Sequence, residues 1–189
     1  MPPKAKITKQ MIIDAGLQVI RRDGQENLNV RRIASELNCS TQPIMYHYAS
    51  VNDLRADIYQ AADALHSDYI LAPVETMQNP MLAIGLNYIR FACEERHLFR
   101  FLFQSDQFHS ASFMELLDVN GMHPLLQPLC MQANLTEQQA KTVFAALFGC
   151  VHGAASLLAN NSIAYDASYY TELLTAVFSG LVAYTKGNV

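Results

Sequence analysis

The sequence predicts an all-α fold: a three-helix head over residues 1–50, then a helical body over residues 51–189 with a helix at 51–71 as connector. Three observations carry this. Apolar residues recur at helical spacing along nearly the whole chain. The runs are separated by helix punctuation, with polar N-caps before them and Gly, Asn or Pro after them. The 189 residues are 51% hydrophobic and 16% charged, enough to build compact domains and unlike a disordered chain.

The first helix is read from Ile12, Ala15, Gly16, Val19 and Ile20, and Asp23-Gly24 ends it. A short second helix spans Val30 to Leu37, with Asn29 as N-cap and Ile33, Ala34 and Leu37 facing inward. Asn38 can take the left-handed C-terminal conformation that glycine usually fills. Ser40 is the N-cap candidate of a short third helix, about Thr41 to Tyr48, with Pro43 in the first turn, where a missing N–H costs nothing. Ser50-Val51-Asn52-Asp53 has the form of a capping box, in which the serine oxygen and the acidic side chain each satisfy an orphan amide. It opens a helix from Val51 to Leu71 that Pro73 stops.

Two short helices joined by Asn38-Cys39-Ser40 after a longer first helix make a helix-turn-helix, whose third helix must offer a slim polar face to a major groove about 12 Å wide. Thr41, Gln42, Tyr46 and His47 are outward here. Gln42 can bond adenine in a bidentate manner and Thr41 offers a hydroxyl and a methyl, so these two are the candidates for reading bases, while Tyr46 and His47 reach phosphates. Charge points to the same end. Residues 1–50 carry seven basic and four acidic groups, the remainder six and thirteen, and the chain totals -4. A positive head on an acidic body either lets the head alone approach a polyanion or reflects surface lysines collected at one end. Lys4, Lys6 and Lys9 are read as a flexible basic arm on phosphates or in the minor groove.

Read together, Ile12-Ile13-Asp14-Ala15-Gly16-Leu17, Gly24, Val30-Arg31-Arg32-Ile33-Ala34, Ser40 through Tyr48, and Asp53-Leu54 resemble the TetR family of transcriptional regulators over about a third of the chain. The resemblance implies a homodimer whose heads bind operator DNA and whose later helices hold a pocket for a small-molecule effector and the dimer interface. The implied DNA-facing residues are Lys4, Lys6, Asn29, Arg31, Ser40, Thr41, Gln42, Tyr46 and His47. Three positions depart from the family pattern: Met45 replaces a tyrosine and Val51 a lysine, both common phosphate contacts there, and Asn29 replaces a threonine. Met45 and Tyr48 are read as packing the head against the fourth helix.

In the body, a helix is expected from Met81 to about Glu95, followed by His97-Leu98-Phe99-Arg100-Phe101-Leu102-Phe103, a run resembling one at this place in many family members. Phe108, Phe113, Met114 and Met122 extend this aromatic and methionine density, which either lines an adaptable apolar pocket or forms plain core. The candidate effector contacts are Tyr88, Phe91, Phe99, Phe103, Phe113 and His152. Pro124 and Pro128 are expected to break or kink any helix between Ser112 and Gln132. Thr136 starts a helix running through Phe144 to Leu158, and a last helix, about Ala167 to Tyr184, carries Leu173, Leu174, Val177, Phe178 and Leu181 on an apolar face. Gly149 and Gly153, one turn apart, would let another helix come close. With Val177 and Leu181 they form the candidate dimer interface, a four-helix arrangement of two terminal helices and their copies.

Other chemistry finds little footing. Cys39, Cys93, Cys130 and Cys150 show no CxxC spacing and read as small hydrophobes in a reduced, cytoplasmic protein without disulfides. His97, His109, His123 and His152 lack the i, i+4 pairing of metal ligands, so no metal or other cofactor is expected. Glu94-Glu95 points to two sides of a helix, and no phosphate loop or nucleophile elbow is present, so the chain is not expected to be an enzyme. Apolar runs such as Val143 to Cys150 fall short of the roughly 20 residues of a membrane span, and no signal-peptide pattern is seen. The function expected is a ligand-responsive dimeric regulator, most simply a repressor released by a small apolar molecule. The alternative is a helical sensor or carrier that does not bind DNA.

Overall fold

Thr8 opens the first helix: its hydroxyl accepts the Met11 N–H at 3.2 Å, and α1 runs Lys9–Asp23 in the computed structural model, which describes residues 7–74, 79–105 and 123–187. Ile12, Ala15, Gly16, Val19 and Ile20 are buried, as their spacing predicts. Gly24, at φ 84°, ends α1 and donates its N–H to the Ile20 carbonyl at 2.9 Å. After a 3₁₀ turn at Gln25–Asn27, Asn29 caps α2 (Val30–Glu36), its Oδ1 accepting the Arg32 N–H at 3.0 Å. Asn38, at φ 49°, closes α2: its N–H reaches the Ser35 carbonyl at 3.2 Å, and the Cys39 N–H reaches that of Ala34 at 2.9 Å. This is the Schellman pattern that satisfies a helix's last carbonyls.

Two sequence expectations for the head need correction. α3 spans only Gln42–Met45, and the cap position falls to Thr41 rather than Ser40, without a side-chain cap bond. The chain turns after Met45 and carries Tyr48 into the core, which shortens the helix. α4 (Val51–Leu71) has the expected bounds, but only half of the expected box forms. Ser50 Oγ accepts the Asp53 N–H at 3.1 Å, while the Asp53 carboxylate takes the serine hydroxyl itself at 2.9 Å. Gly16 lets α4 approach α1, since a Cβ there would sit 2.4 Å from Ile58 Cδ1.

The described residues up to Asp68, together with Glu95–Ser105, form one compact unit. It includes the helix Arg96–Phe103 (α6), whose Leu98, Phe99, Phe101 and Leu102 are fully buried. Arg21 on α1 grips Glu95 in a bidentate manner, Nε lying 3.1 and 3.0 Å from the two carboxylate oxygens. Tyr59 on α4 donates its hydroxyl to the Leu102 carbonyl at 3.2 Å.

Buried His66 on α4 meets the Phe103 ring edge-on at 4.9 Å, and burial pushes its imidazole down to about 4 from 6.5. The unfolded chain therefore takes up this proton first as pH falls, and stability declines between pH 6.5 and about 4, then levels. The expected loss is roughly 3 kcal/mol. Urea titrations across that window should show the wild type losing about this much more than His66→Gln; parallel curves would contradict it.

The second unit comprises Tyr69–Glu94 and the described residues beyond 122. α5 (Pro80–Glu94) is capped by Asn79, whose Oδ1 accepts the Met81 N–H at 3.0 Å. Buried Asn87 donates to the Ile70 and Ala72 carbonyls at 3.2 and 2.9 Å, satisfying the backbone where α4 ends. α7 (His123–Ala133) runs through both prolines, so neither of them breaks the helix. Pro124 stands in the first turn, where no N–H is needed, and Pro128 forfeits one ladder bond while Leu126, Leu129 and Ala133 are buried.

Thr136 and Gln139 form a complete capping box for α8 (Glu137–Asn160), and Asp166 caps α9 (Ala167–Thr185). α8 packs chiefly on α5, with α9 and α7 also against it. Counting uninterrupted apolar runs underrates α8, which among the described residues is the one helix long and apolar enough to cross a membrane. One of its faces, including Val143, Leu147, Val151, Ala155 and Leu158, is buried inside the protein.

Candidate nucleic-acid interface and effector site

The turn at Asn38-Cys39 leaves α3 with its outward side in solvent. Thr41, Gln42 and Tyr46 are exposed, Tyr46 at 78%. Gln42 and Tyr46 lie one helical turn apart, and Gln42 Nε2 donates to the Tyr46 hydroxyl oxygen at 2.9 Å, so the two side chains are presented as a pair. Arg31 and Ser40 are exposed nearby in sequence. Asn29 is exposed too, but its side chain is spent at both ends: Oδ1 caps α2, and Nδ2 donates to the Asn27 carbonyl at 3.1 Å.

Several residues stand otherwise than expected. Lys9 is not part of a flexible arm: it is the first residue of α1 and pairs with Asp57 at 2.6 Å. Lys9 holds the Asp57 carboxyl below the usual range. Lys4 and Lys6 lie outside the described residues. A ring nitrogen of exposed His47 lies 2.9 Å from the Ile7 carbonyl. Met45, expected to pack the head against α4, is 44% exposed, whereas Tyr48 is buried as expected. Burial, and then the Asp57 carboxylate, push the Tyr48 hydroxyl above its ordinary range. Val51 is 48% exposed.

The candidate effector residues fall in two groups. Phe99 and Phe103 belong to the first unit, with ring centroids 5.0 Å apart. Tyr88, Phe91 and His152 belong to the second, where the Tyr88 hydroxyl lies 2.9 Å from His152 Nδ1. Desolvation lowers the His152 imidazole below its ordinary range, disfavouring its protonated form. Phe148, which the sequence reading did not single out, stacks on His152 at 5.6 Å and meets Tyr88 edge-on at 5.9 Å. Its i, i+4 spacing to Phe144 and His152 was the available signal. Phe91 meets Tyr69 edge-on at 5.3 Å, and Phe113 lies outside the described residues.

A polar network around Tyr69 was also missed. Its hydroxyl donates to Glu94 at 2.5 Å and accepts from Arg90 Nε at 2.6 Å. Residues 21 to 25 positions apart give no local sequence signal for such contacts. His97 is half-buried in α6, His109 and the His123 side chain lie outside the described residues, and among the described residues no group of three or more His, Cys, Asp or Glu could hold a metal. The four cysteines are free and half-buried.

On α8, Gly149 and Gly153 are exposed, and a Cβ built on either would meet nothing within 4 Å. Leu157 beyond them is 58% exposed. On α9, Val177 and Leu181 are half-buried, Leu181 against the core that α7 and α8 share.

No protein-family model matches the sequence, and no curated protein does. Solved structures do match. A TetR-like transcriptional regulator from Rhodococcus sp. RHA1 superposes with a TM-score of 0.63 at 16% identity, over 90% of this chain and 93% of its own. A substituted TetR from Acinetobacter baumannii AYE, solved in complex with minocycline, gives 0.61 at 15% identity over 95% and 99%. The all-α chain thus has the fold of TetR-like regulators over nearly its whole length.

Proposed function

We propose that the chain is a dimeric transcriptional regulator that binds operator DNA through α3 and is released from it by a small apolar effector. The observation that carries this reading is the exposed Thr41–Gln42–Tyr46 face of a helix-turn-helix, set in a chain with the TetR-like fold. The charge bias agrees, since residues 1–50 carry three more basic than acidic groups while the remainder carries seven more acidic than basic. In this reading the protein works in the cytoplasm, Gln42 and Thr41 read bases, and Arg31, Ser40 and Tyr46 meet the backbone. The bare Gly149–Gly153 face of α8, with Val177 and Leu181 on α9, receives the same face of a second copy.

The effector site is assigned to the aromatic residues of the second unit, Tyr88, Phe91 and His152. One fold neighbour is solved with minocycline, which supports a small molecule as the effector class here too. A ligand that prefers a dimer with the wrong spacing of heads weakens DNA binding by the factor that DNA weakens the ligand. A 100-fold release needs about 2.7 kcal/mol of differential affinity, within reach of a few apolar contacts.

A gel shift with DNA from upstream of the chain's own gene tests the reading, and loss of the shifted band on adding a cell extract's small-molecule fraction identifies an inducer. Gln42→Ala should lose about 1–3 kcal/mol at one operator position. It also removes the donor that holds the Tyr46 hydroxyl. Equal loss on operator and random duplex would sink the base-reading role. The second reading, a sensor or carrier without DNA binding, is favoured by exposed Met45 and Val51 where the family resemblance places a tyrosine and a lysine. Removing two phosphate contacts leaves a weak head, and absence of any shifted band at low salt would support it.

A further inference from the structure

The end of the recognition element and the start of α1 meet twice. A His47 ring nitrogen lies 2.9 Å from the Ile7 carbonyl, so the ring donates to the backbone just ahead of the Thr8 cap. Next in sequence, Tyr48 lies with its ring 5.2 Å below the Lys9 ammonium, which itself reaches the Asp57 carboxylate on α4 at 2.6 Å. α3 needs such support. It has four residues, no side-chain cap bond and no disulfide, and a single turn of helix is unstable by itself. Both contacts tie the chain immediately after α3 to elements that are much longer, α1 at 15 residues and α4 at 21.

We propose that His47 and Lys9 are positioning residues for DNA reading: with Ile7, Tyr48 and Asp57 they clamp α3 in the orientation that presents Gln42, and they act without touching phosphate. This rests on the DNA-binding reading above and assigns two of the head's most DNA-like side chains a different role within it. A histidine or lysine on the backbone and a histidine or lysine behind the reading helix leave different signatures. Each phosphate contact adds about 0.9 to the slope of log K against log salt. A positioning residue leaves that slope alone and lowers the preference for the right sequence.

The experiment uses the full chain and a duplex selected from a random library by the wild type, with an unselected duplex beside it. Kd is measured from 50 to 300 mM salt, a range set for about a sixfold change in ionic strength, for wild type, His47→Phe, His47→Gln and Lys9→Met. The clamp predicts an unchanged slope, a fall of about tenfold in selected-over-random preference for His47→Phe and Lys9→Met, and partial recovery in His47→Gln, whose amide can still donate to Ile7. A slope lower by about 0.9, or an unchanged preference, overturns it. Hydrogen exchange on the DNA-free protein decides the same point independently. Amides of residues 44–48 should exchange about five- to tenfold faster in His47→Phe and Lys9→Met, with α8 amides unchanged, and equal rates overturn the clamp. A wild type that enriches no sequence overturns the DNA-binding reading instead, and the exchange data still judge the clamp.

Discussion

Gly153→Leu is expected to leave the protomer folded and cost at least 100-fold in operator affinity. A Cβ at Gly153 meets nothing within 4 Å, so the larger side chain starts out into open space. Leucine also removes glycine's helix penalty of about 1 kcal/mol. In the proposed dimer the damage falls on the second copy, whose α8 would otherwise approach this bare face. A dimer binds two half-sites as one event, and linking two modules raises affinity by about 10²–10⁴ over one module alone. Sedimentation at micromolar concentration should show a dimer for the wild type and a monomer for the variant, with α-helical circular dichroism unchanged. A variant that stays dimeric, or a monomeric wild type, places the interface elsewhere. Val177→Glu, on α9, should behave alike.

Phe99→Ala is expected to destabilise the first unit by about 3–5 kcal/mol, the range for removing an enclosed aromatic ring. Phe99 is 0% exposed, in a helix that shares its compact unit with the head. Marginal domains hold only about 5–15 kcal/mol in total, so DNA binding should fail with the fold at 37 °C. Half-buried Phe103 is the contrasting case, since its truncation opens a smaller cavity and should cost less stability. Urea unfolding of the two variants checks this. A loss under about 1 kcal/mol for Phe99→Ala would contradict its place in the core.

The elements that were legible in the sequence are those whose signals are local. Asn29 and Asn38 were identified as caps because side chains that bond nearby amides, or tolerate positive φ, need nothing beyond their own turn. Ser40 and Thr41 are two adjacent hydroxyl residues, and the backbone turn, not the residue type, decides which one precedes the helix. Pro128 does not break its helix, because its local cost is outweighed by the burial of Leu126 and Leu129, which depends on helices elsewhere in the chain. The candidate interface divides in the same way. Its outward residues Thr41, Gln42 and Tyr46 follow from helical spacing. The inward turn of Lys9 toward Asp57 and the Arg21–Glu95 grip, 74 residues apart, depend on tertiary contact. A basic residue's place in a sequence gives its charge but not its direction.

Selection of DNA from a random library by the full chain tests the central claim most directly. Two heads on a two-fold axis predict enrichment of sequences with inverted half-sites whose centres lie about 34–36 Å, or 10–10.5 base pairs, apart. Enrichment of nothing, or of a single half-site without an inverted partner, would contradict the account.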